Sequence, residues 1–189
     1  TVYSPSHLMG FFSVFNSDAL KDAIVFKGGI PAYYGGRASS VLDITMNNGN
    51  NKKFSATGGI GLISTRITLE GPIMKDKMSF IISGRRTYGD LVAKTLFPGK
   101  LVINDMQFYF YDLNAKVSYR PNNRDVLSYS FYNGQDNLDN SRNVDMSRGG
   151  FAMSGGNTDL TKWGNWGSSF KWSRKWSDVL YTNNLLLYS

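Results

Sequence analysis

Residues 108–120 read FYFYDLNAKVSYR, and their order separates two kinds of side chain. From Tyr109 the odd positions are Tyr109, Tyr111, Leu113, Ala115, Val117 and Tyr119, whereas from Asp112 the even positions are Asp112, Asn114, Lys116, Ser118 and Arg120. Successive side chains of an extended chain point to opposite faces, so the run predicts a strand with one apolar and one polar face. The same period recurs in Leu127, Tyr129 and Phe131, in Met78, Phe80 and Ile82, and in Thr65, Ile67 and Leu69. It recurs again in Trp166, Phe170, Trp172 and Trp176, set against Asn165, Gly167, Ser169, Lys171 and Ser173.

A water-soluble β-sandwich carries this period too, because it buries one face and wets the other. Length and aromatic placement favour a different solvent. The run 108–120 is 13 residues long, against roughly 5–6 for a globular strand and roughly 9–11 for a tilted strand crossing a bilayer. Tyr109 and Tyr119 stand near its two ends, and Trp163, Trp166, Trp172 and Trp176 bracket another strand, the placement of the aromatic girdles of membrane barrels.

Around these runs the chain has 189 residues, 14% of them aromatic, with 20 glycines. Segments rich in Tyr, Phe, Trp, Val and Ile alternate with Asn, Asp, Ser and Gly clusters, a β-rich composition. The absence of cysteine excludes disulfides and thiolate metal sites. Lys and Arg exceed Asp and Glu by 21 to 14, a net charge of +7, but the basic residues are scattered and argue against nucleic acid as a partner. No window approaches the roughly 18 consecutive apolar residues of a membrane-spanning helix, a test that leaves β-barrels open. The start, TVYSPSHLMGFF, lacks an initiator Met and a secretion signal, as an internal piece would.

Along the chain, Asn16 or Ser17 is expected to cap a short helical turn over 18–21, followed by strands at 23–26 and 41–46 and a polar linker, NNGNNKK, at 47–53. Strands are then expected at 55–61, 64–70, 78–88, 108–120, 126–135, 163–176 and 179–188. Short turns alternate with long loops at 89–107 and 137–162, which places the long loops together at one end.

Between the first two strands, 27–44 reads KGGIPAYYGGRASSVLDI. This stretch, with the upstream SPSHLMGFFSVFNSDALKDAIVFKGG, resembles the end of the plug domain of TonB-dependent outer-membrane receptors. TRITLEGPIMKDKMSFIISGRRTY resembles the second and third barrel strands of that family with their periplasmic turn. The resemblance covers roughly the first 90 residues. Gly29 and Ile30 precede Pro31, where the family often places proline directly after the first glycine.

The resemblance implies an all-β membrane protein: residues 1–50 as the C-terminal part of a small α+β plug, and 51–189 as an antiparallel transmembrane β-barrel of about seven strands out of about 22. Seven strands alone would leave open edges in lipid, so the chain is expected to be an excerpt of a longer protein. The implied plug–barrel contact comprises Lys27, Arg37, Tyr33, Tyr34, Gly28, Gly35 and Gly36, with the glycines permitting a compact loop and Lys27 pairing with wall glutamates; a solvated turn charge is the alternative for Lys27 and Arg37. The implied function is import of a scarce ligand (siderophore, cobalamin, glycan or peptide) across the outer membrane of a Gram-negative cell. The plug would be rearranged by TonB with ExbB and ExbD, and the partners would be the rest of the barrel, lipid, lipopolysaccharide and a surface lipoprotein lid.

Catalysis finds little support. His7, the single histidine, is expected to serve as a structural hydrogen-bonding residue; Asp136 and Asp139 are expected to be solvated in an external loop. No cofactor or metal is expected. Arg85 and Arg86, if they face the lumen, would meet plug carboxylates, solutes or lipopolysaccharide phosphates. The competing function is a soluble carbohydrate-binding β-sandwich that uses its tryptophans as a sugar platform.

Overall fold

Every strand must find partners for its backbone N–H and C=O groups, and the alternating runs find them in chain order. The computed structural model describes residues 6–7, 12–13, 15–32, 34, 40–89, 92, 95, 107–139, 142–148, 151–157 and 159–189. These form an all-β, antiparallel structure. Strands β1 (Ser6–His7) and β2 (Phe12–Ser13) pair, as do β3 (Leu20–Phe26) and β4 (Val41–Met46). A seven-stranded open sheet follows, made of β5 (Ser55–Ile60), β6 (Ser64–Met74), β7 (Met78–Thr87), β8 (Gln107–Tyr119), β9 (Asp125–Asp139), β12 (Leu160–Lys175) and β13 (Tyr181–Tyr188), in the order β13-β12-β9-β8-β7-β6-β5. A separate hairpin, β10 (Arg142–Arg148) with β11 (Phe151–Asn157), rises between β9 and β12.

The seven expected strands are thus the seven strands of the large sheet, with shifted ends. The helical turn is shorter than expected: a 3₁₀ turn at Ser17–Ala19 capped by Asn16, after which Leu20 and Lys21 already belong to β3. Strand β6 runs on through Pro72 to Met74. Strand β9 runs on to Asp139, and the stretch 137–162 taken as a loop contains β10 and β11. The stretch 89–107 lies almost wholly outside the described residues. Connections at 75–77, 120–124 and 176–180 share one end of the sheet; the bend at 61–63 and the connections β7–β8 and β9–β12 share the other.

Register carries the alternation from β5 to β12; in β13 it breaks, with Leu185 and Leu187 beside Lys171 and Ser169 on the polar face and Asn184 beside Trp172 on the apolar one. On one face Phe80, Val117, Tyr129, Phe170 and Leu186 form a row across five strands. On the other, Thr57, Thr68, Ser83, Asn114, Tyr132 and Gly167 form a row across six.

The burial of the two faces inverts the rule for a protein in water. Over β6 to β9 the polar face is covered: among the described residues Thr68, Ser79, Ser83, Thr87, Asp112, Asn114, Lys116 and Ser118 are buried there, while Ala19, Ile81, Phe110 and Tyr132 are the buried apolar side chains, and on β13 Leu185 and Leu187 are exposed on the same face. The apolar face is open, with Ile67 54%, Leu113 40%, Tyr129 49% and Phe170 41% exposed. In water each such half-exposed side chain would forgo about half of the roughly 1.5–3 kcal/mol that full burial of a large apolar side chain provides.

Candidate functional site

What covers the polar face is the N-terminal segment, held by contacts spread along four strands, β6 to β9. At the 3₁₀ turn, Asn16 Oδ1 accepts from Asp18 N–H at 3.2 Å while Nδ2 donates to Ser83 Oγ at 2.6 Å. Ser83 lies 2.8 Å from Thr68 Oγ1 across β6 and β7. Asp18 pairs with Arg66 Nε at 3.1 Å. One helix cap therefore orders its own turn and docks it on the sheet.

The linker after β4 forms a second contact. Lys116 Nζ donates to the Met46 carbonyl at 2.9 Å, Ser79 Oγ to the Asn48 carbonyl at 2.7 Å and Ser118 Oγ to Asn48 Oδ1 at 3.3 Å. Gly49 follows at φ +78°, and a Cβ there would stand 2.2 Å from the Phe80 carbonyl oxygen. Close approach and positive φ both require glycine at that position.

The third contact is the most buried. His7, from β1, stacks on Phe110 with ring centroids 4.1 Å apart and planes 8° from parallel. Its Nδ1 donates to Asp136 Oδ2 at 2.7 Å, and its Nε2 lies 3.8 Å from Asp112 Oδ2. Arg85 Nη2 bonds Asp112 Oδ2 at 2.7 Å and also donates to the Ser13 carbonyl at 2.6 Å, with its guanidinium 4.9 Å from the Phe110 centroid. Gly134 makes room: a Cβ there would come within 2.2 Å of the Tyr132 hydroxyl and 3.1 Å of His7 Cε1. The Tyr132 hydroxyl has no hydrogen-bond partner among the described residues.

His7 is thus the hydrogen-bonding residue expected of it. Asp136 corrects the expectation of a solvated loop carboxylate: it lies on β9, 2% exposed, under His7. Arg85 does face inward, but its carboxylate partner, Asp112, comes from the neighbouring strand of the same sheet.

Of the residues expected to form the contact, three are described. Lys27 and Gly28 are exposed, and nothing lies within 4 Å of a Cβ built on Gly28. Positive φ falls at Gly29, +61°. Tyr34 is half-buried within its own hairpin, its hydroxyl donating to Asp43 and its ring 5.5 Å from Phe26. Tyr33, Gly35, Gly36 and Arg37 lie outside the described residues.

Chemically the site is a set of short polar contacts between two parts of one chain. His7 is 1% exposed, and the described residues contain no group of three or more His, Asp or Glu arranged to hold a metal. No protein-family model, curated protein or solved structure matches the chain.

Proposed function

We propose that residues 1–50 are the end of a plug and 51–189 the first strands of the barrel of a TonB-dependent importer in a Gram-negative outer membrane. The observation that carries this reading is the inversion of the sheet: polar face covered by the chain's own N-terminal segment, apolar face bare. Hydrocarbon is the solvent in which that arrangement costs least, because the outward side chains lose nothing there and the strands pair their backbone groups among themselves.

The outward aromatics support it in quantity. Tyr119 and Trp172 lie toward the short-turn end, with Trp176 in the turn itself, and Tyr109, Tyr111, Trp166 and Tyr188 lie toward the other, whereas Trp163 stands opposite Asp136 on the polar face. Ten residue steps separate Tyr109 from Tyr119, about 33 Å of strand, or about 25 Å of height at a 35–45° tilt, the span of a membrane barrel's apolar band. Trp172 and Trp176 donate their indole N–H groups to Asp125 at 2.9 Å and Thr182 at 3.0 Å, keeping a polar tip at the edge of that band.

In this reading the short turns are periplasmic and the long connections external. TonB, energised through ExbB and ExbD, draws on the plug from the periplasm. Contacts such as Asn16–Ser83 and Ser79–Asn48 are individually worth about 0.5–1.5 kcal/mol net, so water entering a polar lumen replaces them one at a time as the plug is pulled. Together they seal; singly they yield.

Cysteine labelling in intact cells tests the proposal, since this chain has no thiol of its own. Asp159→Cys, beside the β10–β11 hairpin, reacts with a membrane-impermeant maleimide, while Asn123→Cys, in a short turn, reacts only after the outer membrane is opened. Recovery of the protein from the aqueous phase without detergent overturns the proposal and returns the carbohydrate-binding sandwich.

A further inference from the structure

Resting on the importer reading, one feature of the outward face remains without a role. A depression of about 730 Å³ lies over β6, β7 and β8. Its outward-pointing lining is Thr65, Ile67, Arg86 and Tyr109, and Gly84 stands between Ile67 and Leu113 without a side chain to fill the row. A Cβ on Gly84 would make only ordinary contact, 3.8 Å from the Asp112 carbonyl oxygen, so close packing does not require glycine there.

Arg86 is the cation among the outward positions of β6, β7, β8 and β9. Its neighbours across the ladder are Thr65 and Tyr111, and its guanidinium rests 5.2 Å from the Tyr109 ring centroid. Arg66 and Arg85, which point to the other face, are neutralised by Asp18 and Asp112. Arg86 has no carboxylate partner among the described residues. A charge on a lipid-facing strand is costly at the midplane and nearly free of cost at the interface, and the long stem of arginine lets the head reach that interface.

We propose that this depression binds one anionic, phosphorylated lipid of the surrounding leaflet, an acyl chain lying over Gly84 against Ile67 and the headgroup phosphate on the Arg86 guanidinium. Shape and charge are complementary: an apolar trough ends in a fixed cation backed by an aromatic ring. Arginine is suited to this task because its planar fork can hold two phosphate oxygens at once.

The test uses the full-length protein extracted in mild detergent, with retained phosphorylated lipid counted by native mass spectrometry. Arg86→Gln lowers retention about fivefold, the worth of one cation near an anionic surface. Gly84→Leu, which fills the trough and keeps the charge, lowers it as well, and Arg120→Gln, at the opposite end, does not. Unchanged retention in both Arg86→Gln and Gly84→Leu, each migrating as a folded barrel, overturns the lipid site while leaving the importer reading intact. Arg86-dependent binding of inorganic phosphate as strong as that of lipid also overturns it, in favour of a soluble-anion site. A protein recovered in water without detergent removes the importer reading and the lipid site together.

Discussion

His7 and Asp136 stand 129 residues apart and meet in a 2.7 Å hydrogen bond on the covered face of the sheet. The bond joins the N-terminal segment to β9, and the stacking of the same imidazole on Phe110 adds β8 to the contact. Replacing His7 by Ala removes both and leaves Asp136 buried without this donor. The expected cost is about 1.5–3 kcal/mol, the range for a hydrogen bond to a charged group. Hydrogen exchange in the full-length protein should show faster exchange in β1 and the 3₁₀ turn, with β12 and β13 unchanged.

Arg85 and Asp112 form an ion pair on that face, at 2.7 Å with the Asp112 side chain fully buried. Asp112→Ala strands the guanidinium and is expected to cost about 3–5 kcal/mol, whereas the double change Arg85→Met with Asp112→Leu recovers much of the loss. A double-mutant cycle on thermal unfolding in detergent measures the coupling, expected to exceed the few tenths of a kcal/mol found for independent sites.

Gly49→Ala should act through the backbone, because its Cβ would strike the Phe80 carbonyl at 2.2 Å in a left-handed conformation. The linker must then leave β7 and release the Ser79–Asn48 bond. A stability loss of more than about 1 kcal/mol is expected from the conformational penalty and the lost contact. Gly28→Ala, with open space around it, should leave the unfolding midpoint where it was.

Much of this arrangement is legible in the sequence, and the limits have physical causes. The alternation in 108–120 is strong enough to define β8, its faces and its neighbours, because a one-residue slip would reverse every side chain. Asp112, Asn114, Lys116 and Ser118 are visible as one polar face by parity alone. What covers them is not visible, since His7, Asn16 and Asn48 reach the sheet through contacts separated by up to 129 residues. Phe110 and Tyr132 depart from the polar pattern of their face beneath the N-terminal segment, where His7 stacks on Phe110 and Phe15 lies 6.4 Å from Tyr132, and Ile81 is buried separately beside Lys116. The β10–β11 hairpin hid in RNVDMSR and FAMSGGN, where the alternation is confined to Val144 and Met146 and to Phe151 and Met153, runs too short to stand out from a polar, glycine-rich stretch. Leu20 and Lys21 suit a helix, but pairing of Leu20 with Met46 draws them into β3.

Leu113→Lys distinguishes hydrocarbon from water outside the sheet. The position is 40% exposed, so in water the change should cost less than about 0.5 kcal/mol. In a bilayer, near the middle of the band between Tyr109 and Tyr119, it should cost about 2–4 kcal/mol. Folding titrations of the full-length protein into lipid vesicles read the difference.

The most direct measurement places a nitroxide on Leu113→Cys or Phe170→Cys, and on Asn114→Cys as the inward control, in the full-length protein in lipid vesicles. Relaxation by oxygen, which concentrates in hydrocarbon, is compared with relaxation by a water-soluble nickel chelate. Strong oxygen and weak nickel access are expected at residues 113 and 170, and weak access of both at 114. Strong nickel access at 113 and 170, or shielding from both agents there, would contradict it.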